Sequence, residues 1–169
     1  MADLSTSQPV SRAALLRGGW SAQPAALRPP WAREEHAFLN ACTRCEACVA
    51  ACPESVVALD QEGFPRLDFS GGECTFCGEC VTACEPDALS LNRARTWCAH
   101  AEIQTSCLAL EGVVCRLYEE SCELRAIRFQ PRPGVAPTPV VEVEVCNGCG
   151  ACVAPCPAGA VEIKERKRT

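Results

Sequence analysis

The architecture follows from one stretch near the end of the chain: Cys146-Asn147-Gly148-Cys149-Gly150-Ala151-Cys152-Val153-Ala154-Pro155-Cys156-Pro157. Its pattern is C-x2-C-x2-C-x3-C-P, so four thiols lie close together along the chain and a proline follows the last of them. The proline cannot continue a helix and turns the chain away. Closely spaced thiolates can wrap an inorganic group, and the turn between them exposes backbone N–H groups to it. The stretch therefore predicts a metal centre with sulfur ligands.

The same run occurs twice more. Its other copies are Cys42, Cys45, Cys48, Cys52 and Pro53, and Cys74, Cys77, Cys80 and Cys84, with Pro86 one residue late. This spacing is typical of bacterial ferredoxins, in which three thiolates hold one [4Fe–4S] cube and the fourth reaches a neighbouring cube. The three runs predict an iron–sulfur protein with several cubes.

The cysteine content leaves two other chemistries to weigh. The chain has 16 cysteines in 169 residues, a fraction that is also typical of disulfide scaffolds. A disulfide framework belongs to exported proteins, and residues 11–16 carry one arginine where a twin-arginine export signal has two. Structural zinc prefers two cysteine pairs separated by a loop. We therefore expect a cytoplasmic location, reduced thiols, and cubes rather than disulfides or zinc.

The remaining composition excludes several classes of function. The formal net charge of −5 gives no support for nucleic-acid binding, and no apolar stretch has the length of a transmembrane segment. The sequence shows no nucleophile with its base, no phosphate loop and no flavin motif. His36 and His100 are expected at the surface or next to a metal ligand, and not as ligands themselves. We therefore expect an electron-transfer or maturation protein and not an enzyme.

A longer repeat accompanies the cysteine runs. The residues that follow the last cysteine share an apolar pattern, which predicts a helical turn leading into a short strand. The pattern occurs at Val56, Val57 and Leu59; Ala88, Leu89 and Leu91; Ala126, Ile127 and Phe129; and Ala160, Val161 and Ile163. The third of these follows Cys122, so Cys122 closes a fourth, degenerate run.

The repeat divides the chain into two halves. We predict an α+β fold of two tandem bacterial 2[4Fe–4S] ferredoxin-like units, each with two short helices and two small hairpins. The predicted divisions are an irregular N-terminal arm at residues 1–35, the first unit at 36–92, a connector at 93–104, the second unit at 105–165, and a basic tail at 166–169. Aromatic residues are only 5% of the chain, so clusters are expected to staple a thin core.

The arm has two interpretations. A terminus of this kind is ordinarily a partly ordered segment, in which Arg28-Pro29-Pro30-Trp31 is extended on the surface. The alternative is a segment that docks a partner through Leu15, Leu16, Trp20 and Trp31. A short helix over residues 34–40 is predicted to lead into the first cysteine run.

Spacing assigns most of the cysteines to three cubes, because the fourth cysteine of each run ligates the other cube of its pair. The first cube is expected on Cys42, Cys45, Cys48 and Cys84; the second on Cys52, Cys74, Cys77 and Cys80; and the third on Cys122, Cys146, Cys149 and Cys152. These assignments need no information beyond the runs and the repeat.

The fourth site is irregular. Counting back from Cys122, the regular ligand positions hold Gly112, Cys115 and Tyr118, of which one is a thiol. The last run leaves Cys156 without a cube, and Cys98 and Cys107 belong to no run. Together with Cys115 they complete a set of four, so a fourth cube is expected on Cys98, Cys107, Cys115 and Cys156. The alternative is that Cys98 is a free thiol and that the site holds a [3Fe–4S] cluster or none.

The chain resembles the NapF family of ferredoxin-type proteins, which are encoded with periplasmic nitrate reductase. The resemblance covers nearly the whole chain and rests on Arg28-Pro29-Pro30-Trp31, Cys42-Thr43-Arg44-Cys45, Cys107-Leu108-Ala109, the stretch from Cys115 to Cys122, and the stretch from Cys146 to Cys152. The family usually has cysteine where this chain has Tyr118, which makes Cys98 the natural replacement.

The resemblance implies a cytoplasmic accessory protein that matures the precursor of the nitrate reductase catalytic subunit, NapA, before that subunit is exported. It would act by electron transfer or by assisting assembly of the subunit's iron–sulfur cluster. Two other functions stay open: a general multi-cluster electron carrier, and an electron-wire subunit of another oxidoreductase. The sequence does not identify the redox donor.

Overall fold

The computed structural model describes residues 26–91 and 97–166. In these ranges the helices are α1 (Glu35–Ala41), α2 (Ala47–Ala50), α3 (Glu79–Thr82) and α4 (Leu117–Glu120). The strands are β1 (Val57–Leu59), β2 (Pro65–Leu67), β3 (Ala99–Ile103), β4 (Ile127–Arg132), β5 (Val135–Val141) and β6 (Val161–Glu165). This mixture of short helices and strands agrees with the predicted α+β class. No helix within the described ranges is long and apolar enough to span a membrane.

The strands form two-stranded antiparallel sheets that repeat between the halves. The hairpins β1–β2 and β4–β5 each follow the last cysteine of a run, where the repeat predicts a strand, a turn and a strand. A further sheet joins β3 to β6, with Ile103 opposite Val161. Its counterpart in the first half is a single bridge between Ala32 and Leu89. Each half is therefore closed by pairing the segment before its cysteines with the segment after them.

Two segments predicted to lie outside the units take part in them. Residues 93–104 are predicted to be a connector, but β3 lies in this range and pairs with β6. The end of the predicted arm is likewise part of the first half, because the N–H of Leu67 donates to the C=O of Leu27 at 2.7 Å. Pro29 and Pro30, expected at the surface, are buried. Their rings are apolar and lie over the cysteine-lined space described below.

Arg28 fixes this segment to the first half. Its guanidinium forms salt bridges with Glu35 at 2.8 Å and with Asp60 at 2.9 Å. It also donates to the C=O of Pro65 at 3.0 Å and lies 5.1 Å from the ring centroid of Phe38. Burial opposes the charge of Arg28, but the hydrogen bonds to Glu35 and Asp60 outweigh it and raise the pKa of Arg28. The charge is thus buried with its partners, as burial of a charge requires.

Each half has its own small core, and thiols are part of both. The first core includes Phe38, Cys48, Val56, Leu67, Phe69 and Cys80. The second includes Cys107, Tyr118, Ile127, Cys152, Cys156 and Val161. Val153 and Ile163 pack against both cores. The helix predicted over residues 34–40 is α1, which begins one residue later and contributes Phe38.

The chain ends are described in part. Leu15, Leu16 and Trp20, proposed for docking, lie outside the described residues, whereas Trp31 packs edge-on against Phe76 with ring centroids 6.4 Å apart. Of the predicted tail at 166–169, the structure describes Arg166. Its backbone N–H donates to the C=O of Cys98 at 2.6 Å, which extends the pairing of β3 with β6.

Candidate metal centres

The three regular cysteine runs share one backbone conformation. In each run, the residue before the second cysteine and the residue after it have positive φ. These residues are Arg44, Glu46, Phe76, Gly78, Gly148 and Gly150. The left-handed region costs a non-glycine residue about 1–2 kcal/mol. The runs keep this conformation because it winds the chain around the second cysteine, so that successive thiols and backbone N–H groups face one space.

The segment after each run is also repeated. The third residue after the last cysteine has positive φ in all four runs, and these residues are Ser55, Asp87, Arg125 and Gly159. The turn brings a later backbone N–H onto the cysteine sulfur in three of them, Cys84 at 3.4 Å, Cys122 at 3.3 Å and Cys156 at 3.3 Å. The run that ends at Cys122 is therefore built like the others, although its sequence is degenerate.

The first group of thiols is Cys42, Cys45, Cys48 and Cys84. All four line a cavity of about 350 Å³, a volume that includes space open to solvent. Burial raises the pKa of Cys48 to about 11, with contributions from the neighbouring thiols of Cys42 and Cys84. At the open edge, the N–H of Ala47 lowers the pKa of Cys45. The last cysteine of the second run thus faces the first three cysteines of the first run.

The second group of thiols is Cys52, Cys74, Cys77 and Cys80. They line a cavity of about 360 Å³, and residues 29–31 form part of its wall. Burial raises the pKa of Cys80 to about 12, and the thiols that contribute most to this shift are Cys74 and then Cys48. Because Cys48 belongs to the first group, the first and second groups are adjacent.

The third group of thiols is Cys122, Cys146, Cys149 and Cys152. They line a cavity of about 900 Å³, again with space open to solvent included. Burial raises the pKa of Cys152 to about 12, with contributions from Cys146 and Cys149. The N–H of Ala101 on β3 lies 3.4 Å from the sulfur of Cys146. The strand that was predicted to be a connector therefore helps to form this site.

The donor sets of these three groups fit iron–sulfur cubes. Each combines three cysteines of one run with the last cysteine of another, which is the exchange that ferredoxins use. Backbone N–H groups on the sulfurs are a further feature of such sites. In each group four thiols line one cavity, and four is the number of ligands that a cube requires. Among the described residues, no three His, Cys, Asp or Glu side chains lie close enough to hold a single metal ion.

The fourth group contains three thiols and a tyrosine. Tyr118 is 1% exposed, and its hydroxyl oxygen lies 3.1 Å from the sulfur of Cys107. Burial raises the pKa of Tyr118, with contributions from this hydrogen bond and from the nearby thiols of Cys107, Cys156 and Cys115. Cys107 and Cys156 lie in one buried core with Tyr118, and Cys115 is three residues before Tyr118 in the chain. One feature of the sequence indicates a role for Tyr118, namely its position in the register of the degenerate run.

Cys98 lies elsewhere in the fold. It is exposed and directly precedes β3. Side chains alternate along a strand, and Ala99 and Ala101 are buried, so Cys98 is on the outer face. Cys107 follows the other end of β3, and at about 3.3 Å per residue the strand alone spans roughly 16 Å. The structure does not bring Cys98 to the fourth group, because an extended strand lies between them.

The two halves meet beside the second and third groups. The N–H of Cys74 donates to the C=O of Cys149 at 2.8 Å. Next to this bond, the ring of Phe69 lies so close to Gly150 that a Cβ on Gly150 would overlap it. The indole N–H of Trp97 donates to the C=O of Asn147 at 2.7 Å. The sequence reasoning missed these contacts, because nothing in the local pattern links Phe69 to a residue of the last run.

Comparison with protein families agrees with this geometry. Residues 41–88 match the 4Fe-4S dicluster domain family, and residues 143–159 match the 4Fe-4S binding domain family. The first match contains the two runs of the first half, and the second contains the last run. The chain therefore carries two ferredoxin-type regions, with iron–sulfur clusters as the cofactor class.

Individual proteins extend the likeness to most of the chain. The ferredoxin-type protein NapF of Escherichia coli strain K12 is 39% identical over 151 residues, which cover 89% of this chain and 92% of the relative. NapF of Haemophilus influenzae is 40% identical over 142 residues, covering 84% and 81%. The methylamine utilization ferredoxin-type protein MauM of Paracoccus denitrificans is 32% identical over 172 residues, covering 91% and 77%. Ferredoxin-type proteins of this kind are electron carriers or accessory proteins, not enzymes. The resemblance seen in the sequence is confirmed, and the chain belongs to the NapF family of ferredoxin-type iron–sulfur proteins.

Proposed function

We propose that this protein is a cytoplasmic accessory protein for NapA, the catalytic subunit of periplasmic nitrate reductase. It acts on the precursor before export, either by supplying electrons or by assisting assembly of the subunit's iron–sulfur cluster. One observation carries the proposal, the identity to NapF over 92% of that relative's length. The repeated cysteine groups support the chemistry that either role requires.

The proposal assigns the clusters to the thiol groups. [4Fe–4S] clusters are held by the first group, Cys42, Cys45, Cys48 and Cys84; by the second, Cys52, Cys74, Cys77 and Cys80; and by the third, Cys122, Cys146, Cys149 and Cys152. When bound, such a cluster takes up or releases one electron. The support for these sets is the cavity that each of them lines.

The chain's own residues have three tasks in this chemistry. The thiolates bind the iron and, as soft ligands, favour it over harder metals. The N–H groups of Leu89, Ala126 and Ala160 point at cysteine sulfurs and stabilise added negative charge on them. Apolar side chains such as Phe38 and Leu89 line the first group and restrict water there. These features set the potential at which each site accepts an electron.

The order of the groups supports electron transfer along the whole chain. The helix α2, which carries Cys48 of the first group, packs against α3, which carries Cys80 of the second. Cys74 of the second neighbours Cys149 of the third through the backbone hydrogen bond of 2.8 Å. The third and fourth groups share the last cysteine run. An electron entering at one half therefore meets successive sites on its way to the other.

Metal analysis tests the cofactor assignment. Protein purified without oxygen should contain iron and acid-labile sulfide in equal amounts, at least about 12 atoms of each per chain. It should also show the visible charge-transfer absorption of cysteine-bound clusters. Stoichiometric zinc without that absorption would contradict the assignment.

Partner capture tests the proposed role. The full chain, purified anaerobically, should capture the cytoplasmic precursor of NapA and not the exported, mature subunit. Apolar side chains over residues 110–117 stay exposed, with Val114 at 76%. Exposed apolar groups of this kind are typical of protein-binding surfaces. Val114→Glu should therefore weaken capture more than the control Val135→Glu, since Val135 is also exposed but lies at the β4–β5 hairpin.

The alternative function is a general electron carrier, or a wire subunit of another oxidoreductase. The continuous order of the groups favours it, because a maturation factor does not need every site in one path. A carrier should be oxidised rapidly by unrelated reductases and should not retain the NapA precursor. A wire subunit should instead co-purify in a stable complex. Location gives a further test: a fusion to a reporter that is active only after export should stay silent.

A further inference from the structure

The fourth group differs from the other three in one position. Tyr118 stands four residues before Cys122, where the regular runs have Cys48, Cys80 and Cys152. It lies in the first turn of α4 and is 1% exposed, so its side chain points inward as the cysteines do in the other runs. A phenol therefore stands at a position that holds a thiol in the regular runs, and its side chain is buried as those thiols are.

The hydroxyl of Tyr118 has a defined partner. Its oxygen lies 3.1 Å from the sulfur of Cys107, which is 2% exposed. A cysteine that ligates iron is a thiolate and has no proton to donate. When metal is bound, the hydrogen bond must therefore run from the tyrosine O–H to the sulfur. A phenol that keeps its proton for this bond remains neutral and is a poor ligand to iron.

The ring of Tyr118 is also fixed in place by its neighbours. Tyr118 and Phe129 stack at a centroid distance of 5.6 Å with their planes 34° apart. Both rings belong to the buried core that also contains Cys107 and Cys156, so the ring of Tyr118 is fixed beside these thiols. Cys98 is on the outer face of β3 and does not supply the missing thiolate.

We propose that the fourth site takes a [3Fe–4S] cluster on Cys107, Cys115 and Cys156, with Tyr118 as a buried O–H donor to the sulfur of Cys107. Three thiolates would match three iron atoms, and Tyr118 stands at the register position where the regular runs have a further thiolate. The hydrogen bond stabilises negative charge on the Cys107 sulfur and so favours the reduced site. This inference rests on the proposed function in one respect, that the chain binds iron–sulfur clusters.

Spectroscopy of the whole protein tests the cluster type. Anaerobically purified protein should contain about 15 iron atoms per chain rather than about 16. The oxidised protein should give the EPR signal of a three-iron cluster, which [4Fe–4S] sites in their usual oxidised state lack. Tyr118→Cys supplies a fourth thiolate and should remove that signal while iron rises toward about 16. Cys98→Ser is the control and should change neither quantity.

Tyr118→Phe separates the donor role from packing. The ring and its contact with Phe129 remain, while the O–H is lost. The three-iron signal should persist, and its reduction potential, measured by EPR-monitored titration, should move to a lower value. An unchanged potential would overturn the donor role. Loss of the signal in Cys98→Ser, or a four-iron spectrum at the fourth site of the wild type, would overturn the ligand set.

The same measurements distinguish failure of the three-iron site from failure of the proposed iron–sulfur function. If the protein binds no iron at any site, the iron–sulfur function itself is wrong. If the first three sites fill and the fourth shows no cluster in either the wild type or Tyr118→Phe, the function stands and the three-iron site is wrong.

Discussion

Gly150→Ala is expected to weaken the junction between the two units. Gly150 has a φ of +88°, and the ring of Phe69 from the other half lies directly against it. Alanine at position 150 has two energetic costs. The backbone must hold a left-handed conformation with a side chain, and the ring must move, because the new Cβ would lie closer than the 3.0 Å that real Cβ atoms keep.

The two costs can be estimated separately. The left-handed backbone costs about 1–2 kcal/mol for a residue with a Cβ. Forcing an extra methyl group into a packed contact costs about 1–3 kcal/mol. The matched control is Gly134→Ala, since Gly134 has a φ of +74° but no atom within 4 Å of its added Cβ. The control measures the backbone cost alone, so the excess for Gly150→Ala is the cost of displacing Phe69.

The assay is the rate at which visible cluster absorbance is lost in denaturant without oxygen. A rate is the appropriate quantity, because proteins with bound clusters rarely unfold as a reversible two-state system. An excess of about 1–3 kcal/mol corresponds to at most roughly a 5- to 160-fold faster loss than in Gly134→Ala. EPR of samples that are withdrawn during the loss and then reduced should show the third site failing first, because Gly150 lies between two of its ligands.

Equal rates for Gly150→Ala and Gly134→Ala would refute the reasoning. A second comparison is made in a Phe69→Ala background, where the ring is absent. There the excess for Gly150→Ala should disappear, because the two changes are coupled through one contact. An excess that persists in this background would show that Phe69 is not the cause.

Three further predictions concern other parts of the molecule. Arg28→Ala should destabilise the first half by about 2–4 kcal/mol, because it leaves buried charge and carbonyl groups without their partner; cluster loss should be faster than in the exposed control Arg128→Ala. Burial opposes ionisation of Asp60, but the N–H of Phe64 and the guanidinium of Arg28 outweigh it and lower the pKa of Asp60. The stability lost in Asp60→Asn should therefore be complete above the ordinary carboxyl pKa of about 4 and shrink as the pH falls below it. If the difference in cluster-loss rate between Asp60→Asn and the wild type widens in acid, this reasoning is contradicted. Cys115→Ser should remove the fourth cluster and lower iron content, whereas Cys98→Ser should leave it unchanged.

The local features of this protein could be predicted from its sequence because their determinants are local. Cysteines that are separated by two or three residues must share a loop. The runs at 42–52, 74–84 and 146–156 therefore indicate iron–sulfur chemistry before the fold is known. The repeat added Cys122 in the same way, since the turn after each run needs the same few residues. The hairpins follow from these turns and from the alternating apolar residues beside them.

The fourth site depended on information that spacing does not contain. Counting unassigned thiols placed Cys98 there, but a count does not show that β3 is extended or which of its faces is buried. Tyr118 was excluded because it is not a usual iron ligand, yet its register position directs its ring into the same space as the thiols. Burial of a side chain is decided by the elements that pack around it, and in this case those are β4 and the Cys107 turn.

The sequence by itself thus determined which residues form each cysteine run, because a metal-binding loop is specified within about a dozen residues. The tertiary structure decided how the runs are combined with the rest of the chain. It placed Phe69 on Gly150 at the junction, Arg28 between Glu35 and Asp60, and β3 beside β6. The physical reason is that such contacts join residues far apart in sequence, and their formation depends on the shape, burial and charge of both surfaces together.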